Sequence, residues 1–390
     1  MKGLIAARMS RREWLVASGL GLLLSGNPAL GVEELPHFHQ IIERHFDRWT
    51  RGNHPVLTDL RVKELVLHPE VRGAEAAAIA SIHLYQRKAG NEAHPLTREF
   101  LLTAHSENSA LRRDQSASGA NLSHNYTEFL KHIQSVPRQA FAIERPRLNE
   151  IAQGHLGDCY FIAAVGAETH RNSNPFRHLI HANDDRSYEV RFPNGRHVIV
   201  PMMTDAQLAL GSNAGLQGIW LNVLELAAGI VEEQSRKLQG ELPLDTLGGG
   251  GDSVFSIQLL TGHKTVKHRI RSHVSGAYPA PVEQDVPQLA TRFSHLIHDG
   301  IENRRLVCCG IGDWSVPPGL IKKHQYAIFE VKRDHVEIWN PWGCKYHFKP
   351  NGTPGLQHGY ETAGGRFSMP ARDFVRVFGT VNIESDQPIR

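Results

Sequence analysis

Between Gln153 and Ala164 the chain reads Gln-Gly-His-Leu-Gly-Asp-Cys-Tyr-Phe-Ile-Ala-Ala, a glycine turn that runs straight into helix formers with a cysteine at the junction. Gly154 and Gly157 permit the tight turn. A cysteine in the first turn of a helix faces unpaired backbone N–H groups and the positive end of the helix dipole. Both favour the thiolate, so the spacing predicts a nucleophile at Cys159 with a lowered pKa. Gln153 can fold back over the turn, where its side-chain amide and the Cys159 backbone N–H would offer two donors to an oxyanion. Taken alone, the same pattern fits a buried structural cysteine after an ordinary turn, so the rest of the chain has to decide.

The chain has 390 residues, enough for two or three domains and a full-sized core. Its formal charge is +3 with the signs interspersed. No long basic run points to nucleic acid, and a solvated surface of mixed charge is expected. Residues 1–31 have a separate character. Ser10-Arg11-Arg12-Glu13-Trp14-Leu15 precedes an apolar run to Leu24 and a small-residue site at Ala29-Leu30-Gly31. This resembles a twin-arginine signal peptide, with cleavage near Gly31. It predicts an exported, periplasmic or otherwise extracytoplasmic chain, monomeric, with no stable membrane span after cleavage. The 4 cysteines, Cys159, Cys308, Cys309 and Cys344, are too few for a disulfide framework.

Residues 32–105 show helical periodicity through Phe38, Ile41, Ile42, His45, Phe46 and Trp49, and predict a short helix pair. The run from Thr50 to Arg61 resembles an EF-hand loop, but Thr50, Gly52 and His54 stand where oxygen ligands belong and Arg61 replaces the bidentate glutamate. Such a loop should not hold calcium. Residues 106–140 read as a linker, most polar from Ser106 to Ser123, with one helix near Tyr126 to Ile133. After Cys159 the helix should reach about His170. A hairpin is predicted over Tyr188–Phe192 and His197–Val200, and a helix from about Ile219 to Leu238. Four glycines, Gly248 to Gly251, mark a hinge or a close approach to a ligand. Short strands come after them: Leu306–Ile311, Gln325–Lys332, Val336–Asn340 and Arg366–Met369.

A thiol nucleophile needs an imidazole to accept its proton and an acceptor to orient that imidazole. The 24 histidines make a histidine alone uninformative. His324, however, stands at the mouth of one predicted strand, and Asn340-Pro341-Trp342-Gly343 ends the next. A hairpin between them would bring His324 and Asn340 together.

The ordered motifs Gln-Gly-x-Leu-Gly-Asp-Cys, Gly-Leu-x-x-x-His and Asn-Pro-Trp-Gly resemble the catalytic core of the calpain family of cysteine endopeptidases. Trp220 to Ala227 and the segment from Gly365 to Phe374 resemble further parts of that core. The resemblance covers roughly residues 143–383. It implies an α+β, papain-like fold of two lobes: a helical lobe over 141–250 and a β lobe over 251–385, preceded by the small helical region. It implies Cys159 as nucleophile, His324 as general base and acid, Asn340 as the orienter, Gln153 as oxyanion donor and Trp342 as a shield for the His–Asn bond. Calcium in each lobe commonly aligns the family's triad. Here Glu150 and Glu225 fall at acidic ligand positions of the helical lobe, while Tyr346 and Arg366 replace carboxylates in the β lobe. At most one calcium site is therefore expected, and the chemistry itself requires no cofactor. The alternatives are a non-catalytic protein-binding module on a protease fold, or another acyl-transfer enzyme such as an amidase or transglutaminase.

Overall fold

The computed structural model describes residues 36–389 except 51–54, 90–94, 105–121, 173, 237–240 and 272–277. The expected signal peptide lies outside the described residues. The fold is α+β, with twelve helices and three antiparallel sheets among the described residues. No helix among them is long and apolar enough to cross a membrane.

The amino-terminal region holds helices α1 (Phe38–Thr50), α2 (Asp59–Val66), α3 (Gly73–Ala89), α4 (Arg98–Ala104) and α5 (Leu122–Ser135). Helix α1 buries Phe38, Ile41, Ile42, Phe46 and Trp49, the stripe its periodicity predicts. The region departs from the sequence expectation in two ways. The expected helix pair is four helices, because strands β1 (Val56–Leu57) and β2 (Leu96–Thr97) pair antiparallel and join two helix–loop–helix units side by side. The second half of the expected linker is α5, whose Leu122, Tyr126, Phe129, Leu130 and Ile133 are core residues of this region. The same apolar cluster takes in Ala206, Ala209, Leu210 and Leu242, so the amino-terminal helices share a core with segments more than seventy residues further along the chain.

Helix α6 (Cys159–Arg171) is buried almost all round, as a central helix must be when apolar residues occupy every face. Helix α10 (Ser253–Thr261) packs on it directly, and α8 (Trp220–Arg236), α9 (Pro243–Leu247) and a three-stranded sheet of β3 (Ile180–Ala182), β4 (Tyr188–Arg191) and β5 (His197–Val200) share its apolar core, whereas α7 (Asp205–Leu210) lies chiefly against α3 and α5. The β4–β5 turn is the predicted hairpin, with Gly195 at φ +83.

The large sheet has six strands: β6 (His263–Arg269), β7 (Val307–Ile311), β8 (His324–Lys332), β9 (His335–Trp339), β10 (Arg366–Pro370) and β11 (Thr380–Pro388). Their order is β10-β9-β8-β7-β11-β6. One face carries Cys308, Ala327, Phe329 and Trp339 into the core around α6. Gly166 of α6 makes this close approach feasible, since a Cβ there would lie 2.2 Å from the Trp339 ring. The other face packs against α11 (Val286–Glu302) and α12 (Ala371–Val377).

Candidate active site

Cys159 is the first residue of α6 and is 8% exposed. The turn before it is fixed by backbone contacts that admit no side chain. A Cβ on Gly154 would lie 2.1 Å from the Gly211 carbonyl oxygen, and one on Gly157 would lie 2.6 Å from that of Gly248. The Gly157 N–H donates to the Gly248 oxygen at 3.2 Å, so the glycine run lies against the turn that delivers Cys159.

Helix α6 packs across β8, and His324 is the first residue of that strand. The backbone N–H of Gln325 reaches the Cys159 sulfur. The β8–β9 hairpin places Asn340 immediately after β9, and Asn340 Oδ1 lies 2.9 Å from His324 Nε2. The same oxygen accepts the Trp342 backbone N–H at 3.0 Å. An oxygen that already accepts one N–H must accept from the imidazole as well, so Nε2 carries the proton. In the neutral ring Nδ1 is then the free base. The Trp342 indole packs on the imidazole with ring centroids 5.4 Å apart, and Tyr326 packs edge-on at 4.9 Å.

The Asn340 turn is tied to the cysteine loop across the two halves of the chain. The Gln153 N–H donates to the Pro341 oxygen at 2.8 Å, and the Cys344 N–H to the Ile151 oxygen at 3.1 Å. Gly343, at φ +58, permits this approach; its Cβ would fall 1.8 Å from the Ile151 oxygen.

The electrostatics correct the sequence reading. The helix terminus was expected to lower the Cys159 pKa, but burial outweighs it and pushes the thiol up to about 11, against the partial help of the Gln325 N–H and with the neighbouring Asp158 adding to the rise. Burial likewise lowers His324 to about 4, although the Asn340 bond pulls the other way. At neutral pH the two groups rest as a neutral thiol and a neutral imidazole.

Gln153 has its two amide hydrogens engaged inside the loop, with the Leu156 oxygen at 2.7 Å and Asp158 Oδ1 at 3.1 Å. An oxyanion role therefore requires that amide to exchange a partner. His155 is half-buried, its ring edge-on to Phe129 of α5 at 4.9 Å. Burial, followed by nearby Lys88, lowers its pKa to about 3.

Glu150 and Glu225 do not fit the expected calcium site. Glu225 is fully buried and accepts the Ser212 N–H at 2.8 Å and the Ser212 hydroxyl at 3.0 Å. Burial raises its pKa well above the usual carboxylate range, and the adjacent Asp158 raises it further. Asp158 is raised for the same reason, and one proton shared by the pair would satisfy its otherwise unpartnered Oδ2. Glu150 instead pairs with Arg147 at 3.2 Å and accepts the Leu216 N–H. A calcium ion takes six to eight oxygen ligands. No group of three or more metal-ligating side chains occurs among the described residues. In the β half, Arg366 pairs with Glu337 and the Tyr346 hydroxyl donates to the Gly319 oxygen, so neither position offers a cation an anionic ligand.

Residues 106–353 match the family model described as calpain family cysteine protease. The chain is also similar to calpain-13 of Rattus norvegicus, 24% identical over 292 residues, which are 64% of this chain and 39% of the rat protein's length. Cys159, His324 and Asn340 all lie inside the matched residues, whereas β10, α12 and β11 lie beyond them.

Proposed function

The chain belongs to the calpain family of cysteine proteases, and from that premise we propose that it is an endopeptidase acting through Cys159, His324 and Asn340. The observation that carries this reading is the His324–Asn340 pair, held at 2.9 Å with its tautomer set by the Trp342 N–H, beside a buried thiol. In the reaction, the Cys159 thiol passes its proton to His324 Nδ1 as the sulfur attacks the carbonyl carbon of the scissile peptide bond. The oxyanion takes the Cys159 backbone N–H and a Gln153 N–H released from Asp158. Collapse of the tetrahedral intermediate expels the amine, which takes the proton from His324, and leaves a thioester. A water molecule then attacks the thioester, giving its proton to Nδ1, and the carboxylate product leaves with the thiol restored.

Asn340 stabilises the imidazolium formed in each step, and Trp342 keeps water from the His–Asn bond, where a low local dielectric strengthens it. In this reading the helical lobe (141–250) and the β lobe (251–385) face each other across the substrate cleft. Residues 1–31 direct export, and the working form is an extracytoplasmic monomer. No step runs through calcium: Glu225 is engaged by Ser212 and Asp158, and Glu150 by Arg147 and the Leu216 N–H.

The test treats the purified chain with a thiol-directed epoxide, maps the adduct, and follows cleavage of an unfolded protein with and without calcium. Labelling at Cys159 that depends on His324, together with cleavage, supports the reading. A folded chain that neither labels nor cleaves under any condition sinks it in favour of a binding module.

A further inference from the structure

Beside the Cys159–His324 pair lies a cavity of about 700 Å³ that none of the catalytic roles uses. Gln325, whose N–H meets the nucleophile's sulfur, forms one end of it. From there the sheet register runs straight outwards: Gln325 is opposite Gly310, Gly310 opposite Thr380, and Thr380 opposite Arg269. Four neighbouring strands cover roughly 14 Å, so this row reaches about four residues of an extended peptide away from the reacting sulfur. Gly310 keeps the floor open; its Cβ would stand 2.4 Å from the Gln325 amide nitrogen.

The charges of this cavity do not balance internally. Its two carboxylates are already paired, Asp252 with Lys267 and Asp313 with Lys323. Arg269 is exposed and makes no ion pair among the described residues. Arg271 is only 8% exposed, yet its guanidinium meets carbonyl oxygens of Tyr278 and Arg376 and the face of Trp314 at 4.4 Å, with no carboxylate. Its Nε–H has no partner among the described residues. Burial alone acts on its pKa, as it would with no anion near enough to compensate the charge. Arginine stays protonated in proteins, and a buried cation without an anion is costly. Native structures leave few such groups unsatisfied, and those few call for a ligand or a function.

We propose that this cavity receives an acidic side chain of the substrate, so that the chain prefers aspartate or glutamate within about four residues of the bond it cleaves. An extended peptide crossing the row from Gln325 would lay a carboxylate against Arg269, whose exposed guanidinium can bind it with two parallel hydrogen bonds, beside the uncompensated charge of the buried Arg271. The proposal rests on the endopeptidase reading, but binding can be measured apart from chemistry.

The experiment uses the full chain carrying Cys159→Ala, which cannot turn over, and calorimetry with peptides bearing glutamate, leucine or lysine at each scanned position. At one position glutamate should bind at least tenfold more tightly than leucine, with lysine weakest, and the advantage should shrink at high salt. Arg271→Met should abolish the advantage. Should that buried position fail to fold, Arg269→Glu on the exposed strand should reduce or reverse the preference. Equal binding of the three peptides, or a leucine preference that Arg269→Glu leaves untouched, overturns the proposal. Cleavage by the unmodified chain reports on the endopeptidase reading separately.

Discussion

Nε2 of His324 lies 2.9 Å from Oδ1 of Asn340, and that oxygen also accepts the backbone N–H of Trp342, two residues further on. The turn after β9 thereby fixes which imidazole nitrogen carries the proton. Asn340 is buried, and its amide nitrogen has no partner among the described residues, so the side chain is retained for its oxygen alone.

Asn340→Ala should therefore lower kcat by about one to two orders of magnitude, less than removal of His324, with KM nearly unchanged. Steady-state kinetics on one peptide checks this. A variant whose loss falls wholly in KM would place Asn340 in substrate binding instead.

A resting neutral thiol and imidazole give a definite pH signature. Alkylation of Cys159 by a small neutral reagent should climb through the alkaline range towards the thiol pKa of about 11. A rate that levels off below neutrality would mean a preformed thiolate–imidazolium pair. Stability depends on the same burial. The folded pKa of His324, about 4, lies below the ordinary value of 6.5, so between those values the unfolded chain binds a proton that the native state does not. Stability is full above 6.5 and declines towards pH 4, by up to about 1.4 kcal/mol per pH unit for this group. His132, also lowered to about 4 chiefly by burial, acts in the same direction. Thermal melts across that range should show the decline, and His132→Gln should flatten it.

Glu225 behaves in the opposite sense. With its pKa raised by burial, the native state holds a proton that the unfolded chain releases, and stability falls as pH rises above the ordinary carboxylate value. Glu225→Gln mimics the protonated form, so it should melt no lower than the parent at pH 6 and higher at pH 8. Calorimetry with calcium should find at most one saturable site. A calcium site that Glu225→Gln abolishes, or a melting point that collapses in that variant, would show the carboxylate to be charged and ligating.

Asp245 tests the union of the amino-terminal helices with the protease. Burial would raise its carboxyl, but His83 and Arg87 of α3 outweigh burial and hold it below the usual range. His83 is fully buried and lies 3.0 Å from it. Asp245→Ala leaves these partners without an anion, and should cost about 3–5 kcal/mol. Because Asp245 sits in the short helix α9, which is capped at Gly248, the substitution should also slow labelling of Cys159. Denaturant melts and labelling rates check the two effects independently.

Much of the site is legible in the linear chain because its signals are local. The Gly154–Gly157 turn feeds α6, and the β8–β9 hairpin brings its two ends together, as alternation and turn residues require. The pKa of Cys159 is not legible, since helix position can be read from neighbours in sequence whereas burial under β8 cannot. The inward turn of the Gln153 amide depends likewise on Asp158 being sealed beneath it. Strands β3, β6 and β11 escape the pattern. Strand β6, His-Lys-Thr-Val-Lys-His-Arg, is a polar edge strand, and β11 carries Glu384 into the interior to meet Arg171, His263 and the Leu306 N–H. Buried charge satisfied by distant partners leaves no periodic trace.

Strand β11 also bears on how the molecule comes into being. It lies between β6 and β7, pairing Thr380 with both Arg269 and Gly310. As the chain leaves the ribosome, β6 emerges more than a hundred residues before the segment that must insert beside it. Until residues 380–388 arrive, β6 has no neighbour and β7 has one bare edge, and the row from Gln325 to Arg269 has a missing rung. Closing so long a loop comes late and slowly, so the row is completed only once the chain has run forty residues past Asn340. The order of synthesis thus leaves this strand row beside the candidate site incomplete until after Cys159, His324 and Asn340 have all been made.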